Sequence, residues 1–429
     1  MQISVNRFFL YLFFLALLSN CSFSKKDVVE QDNNIKNLFE KAKPIEKELN
    51  PGLKIQLTKS TKGKPFLRNN SNNSGNINFE TNFQKISSFK FKTIDQFDFT
   101  QPELIFTDDN GIVFFDGKGS IYKINDDLKE IWKTNHYNKK EKKLNPILYF
   151  AQRDQNLIVT DTLSKRYLIN LSNGEFVWSK NSLSPFNSNV KIFKDNFITI
   201  DFDNVIRCFS IKEGNEIWNF KTEDTFIKSQ KKLSLVLKGK IVYFINNLGD
   251  VTALNVEDGS LVWQTPTQSN VIYQNAFSLE NSDLVFANNS IYFSNNKNEI
   301  FSIDARSGIV KWKQTVNSSL RPTIVENLIF SVSEEGYVFI IEDQTGNIVR
   351  ITNALTNIED KKNKIKPTGF VIARNKIYLS LNNGRLVKID IATGIQENIV
   401  KLHGSKISRP YVHNGNMYLI KDNAIIKSN

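Results

Sequence analysis

The chain has 429 residues, of which 40% are apolar, and 56 Lys and Arg residues against 44 Asp and Glu residues give a net charge of +12. The apolar fraction suffices for a folded core, and the length fits two or three domains or one large repeat array. The basic residues are scattered, and no arginine-rich arm or basic-aromatic motif occurs, which argues against a nucleic-acid-binding protein.

The first predicted element is an export signal at the N-terminus. An apolar run over residues 8–18 follows one positive charge and is too short to span a bilayer comfortably. The run ends in "LLSNC", which resembles the bacterial lipobox, where cleavage leaves a lipid-modified Cys21. Asn20 departs from the usual Gly, Ala or Ser, so an uncleaved membrane anchor is the alternative, and Ser22 resembles the outer-membrane sorting pattern. We therefore predict a signal peptide over residues 1–20 and a lipid-anchored protein at the outer membrane, facing the periplasm.

The next predicted element is a flexible tether. Residues 21–75 are charged and rich in Asn and Ser, a composition typical of disorder. The only cysteine besides Cys21 is Cys208, which lies in the apolar run "VIRCFSI" and is predicted to be a small core residue. With Cys21 lipidated, no intramolecular disulfide can form.

From residue 76 onward the chain repeats one phrase, seen in "ALNVEDGSLVWQT" (253–265) and "FSIDARSGIVKWKQ" (301–314). A short apolar run leads into a turn, and in six of the seven repeats an anchor residue follows a turn glycine by four positions. The first repeat, "YKINDDLKEIWKT" (122–134), lacks this glycine. The glycines are Gly174, Gly214, Gly259, Gly308, Gly346 and Gly394, and all five tryptophans of the chain, Trp132, Trp178, Trp218, Trp263 and Trp312, are anchors. Arg350 and Asn398 continue the series without Trp, and successive anchors lie 38 to 49 residues apart.

This period predicts an all-β fold, an eight-bladed β-propeller over residues 76–429. Asn/Gly/Asp clusters such as "NNLGD" and "SEEGY" separate the β-rich runs and predict hairpin turns, so each repeat supplies about four strands. Such a blade buries both faces only by stacking against neighbours in a ring, where the Trp would wedge between blades. Seven anchors and one incomplete unit predict eight blades, with seven as the alternative. The strand missing from the last blade is predicted to come from residues 76–90.

The phrases "NVEDGSLVWQT" and "DARSGIVKWKQ" resemble the PQQ-type propeller repeat. Together with the lipobox, the tether and about eight repeats, the sequence is similar to the BamB family, lipoprotein accessories of the machinery that inserts β-barrels into the outer membrane. The resemblance implies a scaffold without catalytic, cofactor or metal site, which binds the periplasmic domains of the central barrel subunit. It also implies two contact loops between blades, an apolar-basic one with Ile227 and Lys228 and an acidic one with Glu280 and Asp283. Nascent outer-membrane proteins are a further candidate partner.

Two other functions stay open on the sequence. PQQ-dependent dehydrogenases also use propellers of such repeats, but His136, His403 and His413 are isolated and none has the spacing of a metal-ligand pair. A periplasmic propeller that binds a sugar or a peptide in its central channel is the second alternative. The sequence does not assign the residues that would face this channel.

Overall fold

The computed structural model describes residues 43–60, 70–83, 85–95, 97, 102–223, 231–268, 279–358 and 364–429. The predicted signal peptide and Cys21 lie outside these residues. The described chain is almost entirely β-structure, with one 3-10 turn at Glu141–Leu144. None of its helical segments has the length and apolar character needed to span a bilayer.

Within the described residues, thirty-three strands form eight sheets. Two strands, β1 (Asn76–Ile77) and β2 (Ile86–Lys90), precede the first blade. Blade 1 contains β3 (Ile105–Phe106), β4 (Ile112–Phe115), β5 (Ser120–Ile124) and β6 (Glu130–Asn135). Blade 2 contains β7 (Leu148–Arg153), β8 (Asn156–Asp161), β9 (Lys165–Asn170) and β10 (Phe176–Asn181). Blade 3 contains β11 (Lys191–Phe193), β12 (Asn196–Ile200), β13 (Val205–Ser210) and β14 (Glu216–Lys221). Blade 4 contains β15 (Leu235–Lys238), β16 (Ile241–Ile245), β17 (Val251–Asn255) and β18 (Leu261–Thr265).

The second half of the ring repeats this order. Blade 5 contains β19 (Val285–Ala287), β20 (Ser290–Asn295), β21 (Glu299–Asp304) and β22 (Val310–Gln314). Blade 6 contains β23 (Thr323–Val325), β24 (Leu328–Val332), β25 (Tyr337–Glu342) and β26 (Ile348–Asn353). Blade 7 contains β27 (Pro367–Ala373), β28 (Lys376–Leu381), β29 (Arg385–Asp390) and β30 (Gln396–Lys401). Blade 8 contains β31 (Tyr411–His413), β32 (Asn416–Lys421) and β33 (Ala424–Ser428) together with β2. The prediction of an all-β, eight-bladed propeller is confirmed, and the seven-bladed alternative is wrong.

Inner and outer strands differ in composition because the blades are stacked around a ring. In β4, "IVFF", all four side chains are buried, since both faces of an inner strand meet a neighbouring blade. In the outermost strand β18, "LVWQT", no residue is fully buried. The inner strands therefore read as continuous apolar runs, and the outer strands carry the polar and charged residues.

Neighbouring blades are joined by a contact between a tryptophan and a turn glycine. The Trp218 ring lies under the turn of blade 4, and its Nε1 donates to the Val256 carbonyl oxygen (3.1 Å). Gly259 in this turn has a φ of 75°, and a Cβ there would lie 2.6 Å from the Trp218 ring. Trp132, Trp178, Trp263 and Trp312 make the same contact with the next blade, donating to the carbonyl oxygens of Leu171, Ile211, Ala305 and Asp343.

Arg350 takes the place of the tryptophan at the joint between blades 6 and 7. Its guanidinium donates to the carbonyl oxygens of Ile391 (2.6 Å) and Ala392 (3.0 Å). Ile391 precedes Gly394 by three residues, as Val256 precedes Gly259. A Cβ on Gly394 would meet the Thr352 side chain, so the close packing at the turn is retained without an aromatic ring.

Both ends of the propeller sequence meet in blade 8. The outermost strand β2 pairs antiparallel with β33, from Ile86 opposite Ser428 to Lys90 opposite Ala424. The closing strand thus comes from within residues 76–90. β1, in the same segment, instead pairs in parallel with the innermost strand of blade 7, β27.

The packed body begins earlier in the chain than the predicted tether boundary at residue 75. Residues 43–60, here called the strap, run across blades 6 and 7. Leu49 exchanges two backbone hydrogen bonds with Ile351 of β26, and Ile55 and Leu57 are buried in the core between these blades. The physical reason is the alternating "LKIQL" after the Pro51–Gly52 turn, which offers apolar side chains to one face although the surrounding composition is polar.

Candidate functional site in the central channel

The first strands of the blades surround the central channel. First strands of successive blades contact one another, as β3 with β7, β7 with β11, β11 with β15 and β15 with β19. The turns between first and second strands lie on one side of the ring, called here the hairpin side. The segments that link one blade to the next lie on the other side, called the connection side.

Residues 70–77, the channel segment, cross the first strands of four blades in order. The Asn70 carbonyl oxygen accepts from Leu237 N in blade 4 (2.8 Å), and the Ser71 carbonyl oxygen accepts from Phe286 N in blade 5 (2.9 Å). The side chain of Asn73 exchanges hydrogen bonds with the backbone of Ile324 in blade 6. The segment ends in β1, on blade 7. It therefore satisfies backbone groups that the first strands would otherwise present to the channel.

Asn72 anchors the channel segment and is fully buried. Its Nδ2 donates to the carbonyl oxygens of Leu235 (3.2 Å) and Leu284 (2.9 Å). Its Oδ1 accepts from Lys191 Nζ at 2.6 Å. One amide thus ties together blades 3, 4 and 5.

Five basic side chains converge on the connection side of the channel. They come from blades 3, 4, 6 and 8 and are Lys191, Lys231, Lys232, Arg321 and Arg409, here called the cationic group. Two carboxylates lie among them. Glu103, just before blade 1, is 2.5 Å from Lys232 Nζ, and this ion pair spans the channel from blade 4. Asp283 lies 3.8 Å from both Lys232 and Arg321.

Burial dominates the electrostatics of Lys191, Lys231 and Arg409. It lowers the pKa of Lys191 to about 8, against the raising effect of Glu103 and Asp283. It also lowers the pKa of Lys231 to about 8, and it lowers the pKa of the Arg409 guanidinium. At Lys191, Lys231 and Arg409 the neighbouring carboxylates therefore do not fully offset the loss of hydration. Lys232 differs, because its burial is outweighed by Asp283 and Glu103 together, which raise its pKa.

The sequence-predicted contact residues fall in different places. Ile227 and Lys228 lie outside the described residues, between β14 and β15. Glu280 is exposed on the connection side, and its backbone N donates to Asn296 Oδ1 (3.0 Å). Asp283 is only 14% exposed and faces the channel, because it is three residues closer to the first strand of blade 5. The structure therefore does not bring Asp283 and Glu280 together on one surface.

The three histidines are separate, as the sequence indicated. His413 stacks on Phe106 with ring centroids 4.5 Å apart, and burial lowers the pKa of His136 to about 4. Within the described residues, no group of three or more His, Cys, Asp or Glu side chains could hold a metal ion.

The cationic group was missed from the sequence although it leaves a signal. In "KKLSL", "LRPTI" and "SRPYV" a basic residue stands shortly before a first strand, and in blade 3 Lys191 is the first residue of that strand. Each instance taken alone is an ordinary loop charge. Their convergence becomes visible only when the ring is closed.

The eight four-stranded blades and their Trp–Gly joints define a β-propeller of PQQ-like repeats. Residues 117–352, more than half of the chain, match the family model described as outer membrane protein assembly factor BamB. The chain belongs to this family. A search of curated proteins finds no significant match.

Solved structures share the fold. BamB from Moraxella catarrhalis superposes with a TM-score of 0.60 and 15% identity, covering 77% of this chain and 99% of that chain. The computationally designed Ika8 protein reaches 0.57 with 14% identity, covering 79% and 99%. The C-terminal WD40 domain of Sif2 also reaches 0.57, with 11% identity, covering 80% and 99%. At these identities the likenesses establish the fold alone.

Proposed function

We propose that this protein is a non-enzymatic scaffold of the machinery that assembles β-barrels in the outer membrane. It binds the periplasmic domains of the central barrel subunit, and a lipid on Cys21 holds it at the membrane. The observation that carries the proposal is the family match over residues 117–352, on a chain that folds as a complete eight-bladed propeller. The lipobox-like "LLSNC" supports the anchor.

We place the contact surface on the connection side, around blade 4. The segment with Ile227 and Lys228 links blade 3 to blade 4, and the segment with Glu280 links blade 4 to blade 5. The exposed Glu280 carboxylate is the proposed acidic contact. Asp283 would support this loop from inside the channel, through Lys232 and Arg321, and would not touch the partner directly.

Co-purification from mildly solubilised envelopes tests both the role and the surface. We expect the central barrel subunit to come down with the wild-type protein and to be lost or strongly reduced with Lys228→Glu and with Glu280→Lys, because each change reverses a charge at the contact. Glu213→Lys is the matched control. It makes the same charge change at an exposed turn between third and fourth strands, on the hairpin side.

The outcomes separate the two parts of the proposal. Retention of the subunit by all variants would show that the contact surface is misplaced while the scaffold role stands. Failure of the wild-type protein to retain any component of the assembly machinery would overturn the role itself.

A further inference from the structure

The segment that links blades 1 and 2 carries four lysines on the connection side. In residues 138–144, "NKKEKKL", here called the lysine loop, Asn138 Oδ1 accepts from two backbone N–H groups (2.9 and 3.0 Å) at the start of the 3-10 turn. Lys139, Lys140 and Lys143 are exposed, and Lys142 is half-buried. Among the described residues, no carboxylate lies within ion-pair distance of these four ammonium groups.

The acidic residue of the lysine loop is directed back towards the propeller. Glu141 Oε1 lies 2.6 Å from Lys165 Nζ at the start of β9, and Glu141 Oε2 accepts from the Asn138 backbone N–H (2.9 Å). Asp95, in the segment that links blades 8 and 1, lies 3.6 Å from Lys118. Both carboxylates therefore contact lysines outside the loop, while the lysines of the loop extend into solvent.

Two large apolar side chains accompany the lysine loop. Leu144, the last residue of the loop, is 63% exposed, and Leu183, in the segment that links blades 2 and 3, is 96% exposed. Ile147 and Ser182, which lie close to them in sequence, both form backbone hydrogen bonds with residues 162–164, the turn between β8 and β9. Leu144 and Leu183 therefore flank one turn of blade 2 on the connection side.

These leucines differ in place from the other exposed apolar residues. In the described chain, the remaining large apolar side chains that are exposed lie on the outermost strands, in the turns before these strands, or in the strap. An exposure of 96% means that Leu183 protrudes without neighbouring walls that could form a pocket for a protein partner. Protruding leucines beside long, flexible cations instead suit the interface of a bilayer, where apolar groups and phosphates lie side by side.

We propose that the lysine loop and Leu183 form a docking surface for an anionic phospholipid bilayer. The ammonium groups contact the lipid phosphates, and Leu144 and Leu183 enter the boundary between headgroups and acyl chains. Each lysine near such a surface contributes a factor of about five to the affinity, and salt screens this contribution. The inference does not depend on the scaffold role, because it rests on exposed charges and leucines away from the proposed contact around blade 4.

Flotation with lipid vesicles tests the surface, using the mature chain from residue 21 with Cys21→Ser so that no acyl group contributes. We expect the protein to float with equimolar phosphatidylglycerol and phosphatidylcholine, and not with phosphatidylcholine alone. Lys139→Gln combined with Lys143→Gln should weaken the partition about 10- to 30-fold, because two charges are removed. Lys129→Gln combined with Lys212→Gln removes the same charge from exposed turns on the hairpin side and should leave the partition unchanged.

A second pair of variants tests the apolar contact with every charge retained. Leu183→Ser should weaken the partition about fivefold, because less apolar surface enters the bilayer. Ile395→Ser, at a residue that is 65% exposed on the hairpin side, should have no effect. All substituted residues are exposed, and circular dichroism verifies that each variant is folded.

Three results would overturn the proposal. The first is equal binding to vesicles with and without phosphatidylglycerol, and the second is equal weakening by the two pairs of lysine substitutions. The third is the absence of binding to the anionic vesicles, which would favour an acidic protein as the partner of the lysine loop.

Discussion

Gly259 combines two constraints at a single residue. Its φ of 75° lies in the left-handed region that favours glycine, and a Cβ would lie 2.6 Å from the Trp218 ring. We expect Gly259→Ala to lower the free energy of unfolding by the cost of the positive φ and by about 1–3 kcal/mol more for the clash with the ring. The ring cannot move aside because its Nε1 is hydrogen-bonded to the Val256 carbonyl oxygen. Urea unfolding measures this difference.

Gly239 provides the matched control. It has a similarly positive φ of 60°, but no heavy atom lies within 4 Å of the position of its Cβ. Gly239→Ala therefore reports the backbone cost alone. Equal losses of stability in the two variants would show that the contact between glycine and tryptophan does not constrain the joint.

Lys191 makes stability depend on pH in a defined window. Its pKa is about 8 in the folded chain, against an ordinary value of 10.5 in the unfolded chain. Between these pH values Lys191 binds more protons in the unfolded chain than in the folded chain. The contribution of Lys191 therefore makes stability rise with pH from about 8 towards 10.5. Below pH 8 Lys191 is charged in both the folded and the unfolded chain, and the full cost of burying its charge is present.

Comparing two variants isolates this contribution. Lys191→Met should flatten the rise in urea midpoint between pH 8 and 9.5 relative to wild type, because the titrating group is gone. Lys212→Met, at an exposed position, should keep the wild-type slope. The difference cancels groups common to both chains, among them Cys208, whose pKa burial raises to about 12. Identical slopes in the two variants would show that Lys191 does not cause the rise of stability with pH.

Among the elements, the strap differs most from what its composition predicts, because a polar segment expected to be a flexible tether is packed on blades 6 and 7. Arg350 connects it to the ring, since the same guanidinium that replaces a tryptophan at the joint of blades 6 and 7 also donates to the Leu53 carbonyl oxygen (2.8 Å). Thr58 and Lys59 donate their backbone N–H groups to Glu326 Oε1. Hydrogen bonds thus hold the strap at Leu49, at Leu53 and at Thr58–Lys59.

We expect Ile55→Asp to release the strap, because Ile55 is 7% exposed and an ionised carboxylate there would be buried without a partner. Trypsin should then cut after Lys54 and Lys59 about tenfold faster than in wild type, since cleavage follows local opening. Leu53→Asp, at a residue that is 43% exposed, should leave the rate unchanged. Equal rates in both variants would mean that Ile55 does not hold the strap.

At the scale of the whole molecule, the repeat determined what could be predicted. The spacing from glycine to anchor residue predicted the number of blades, because every blade solves the same packing problem at the same position. The same spacing placed Arg350 among the anchor residues, although the sequence did not show that its guanidinium donates hydrogen bonds to the next blade. The chemistry differs, but the guanidinium reaches the same kind of carbonyl oxygen as an indole N–H.

Apart from the closing strand of blade 8, which was predicted within residues 76–90, the features that depend on ring closure could not be predicted. The Asn-rich channel segment resembles a disordered linker, because polar composition does not distinguish side chains that face water from those that satisfy strand edges. The cationic group joins residues that lie far apart in sequence, such as Lys191 and Arg409. The contact loops with Ile227, Lys228 and Glu280 stay predictions, since their role depends on a partner surface.

The pairing of β2 with β33 also sets the order of events when the protein is made. Ile86 and its partner Ser428 are separated by about 340 residues, so at a synthesis rate of about 5–20 residues per second β2 emerges roughly 15–70 s before the strand that covers it. Throughout that interval blade 8 lacks its partner strands and β2 is an open edge able to pair with other chains. Ring closure is therefore a late, slow step with high contact order, and the nascent protein needs protection from association until it occurs.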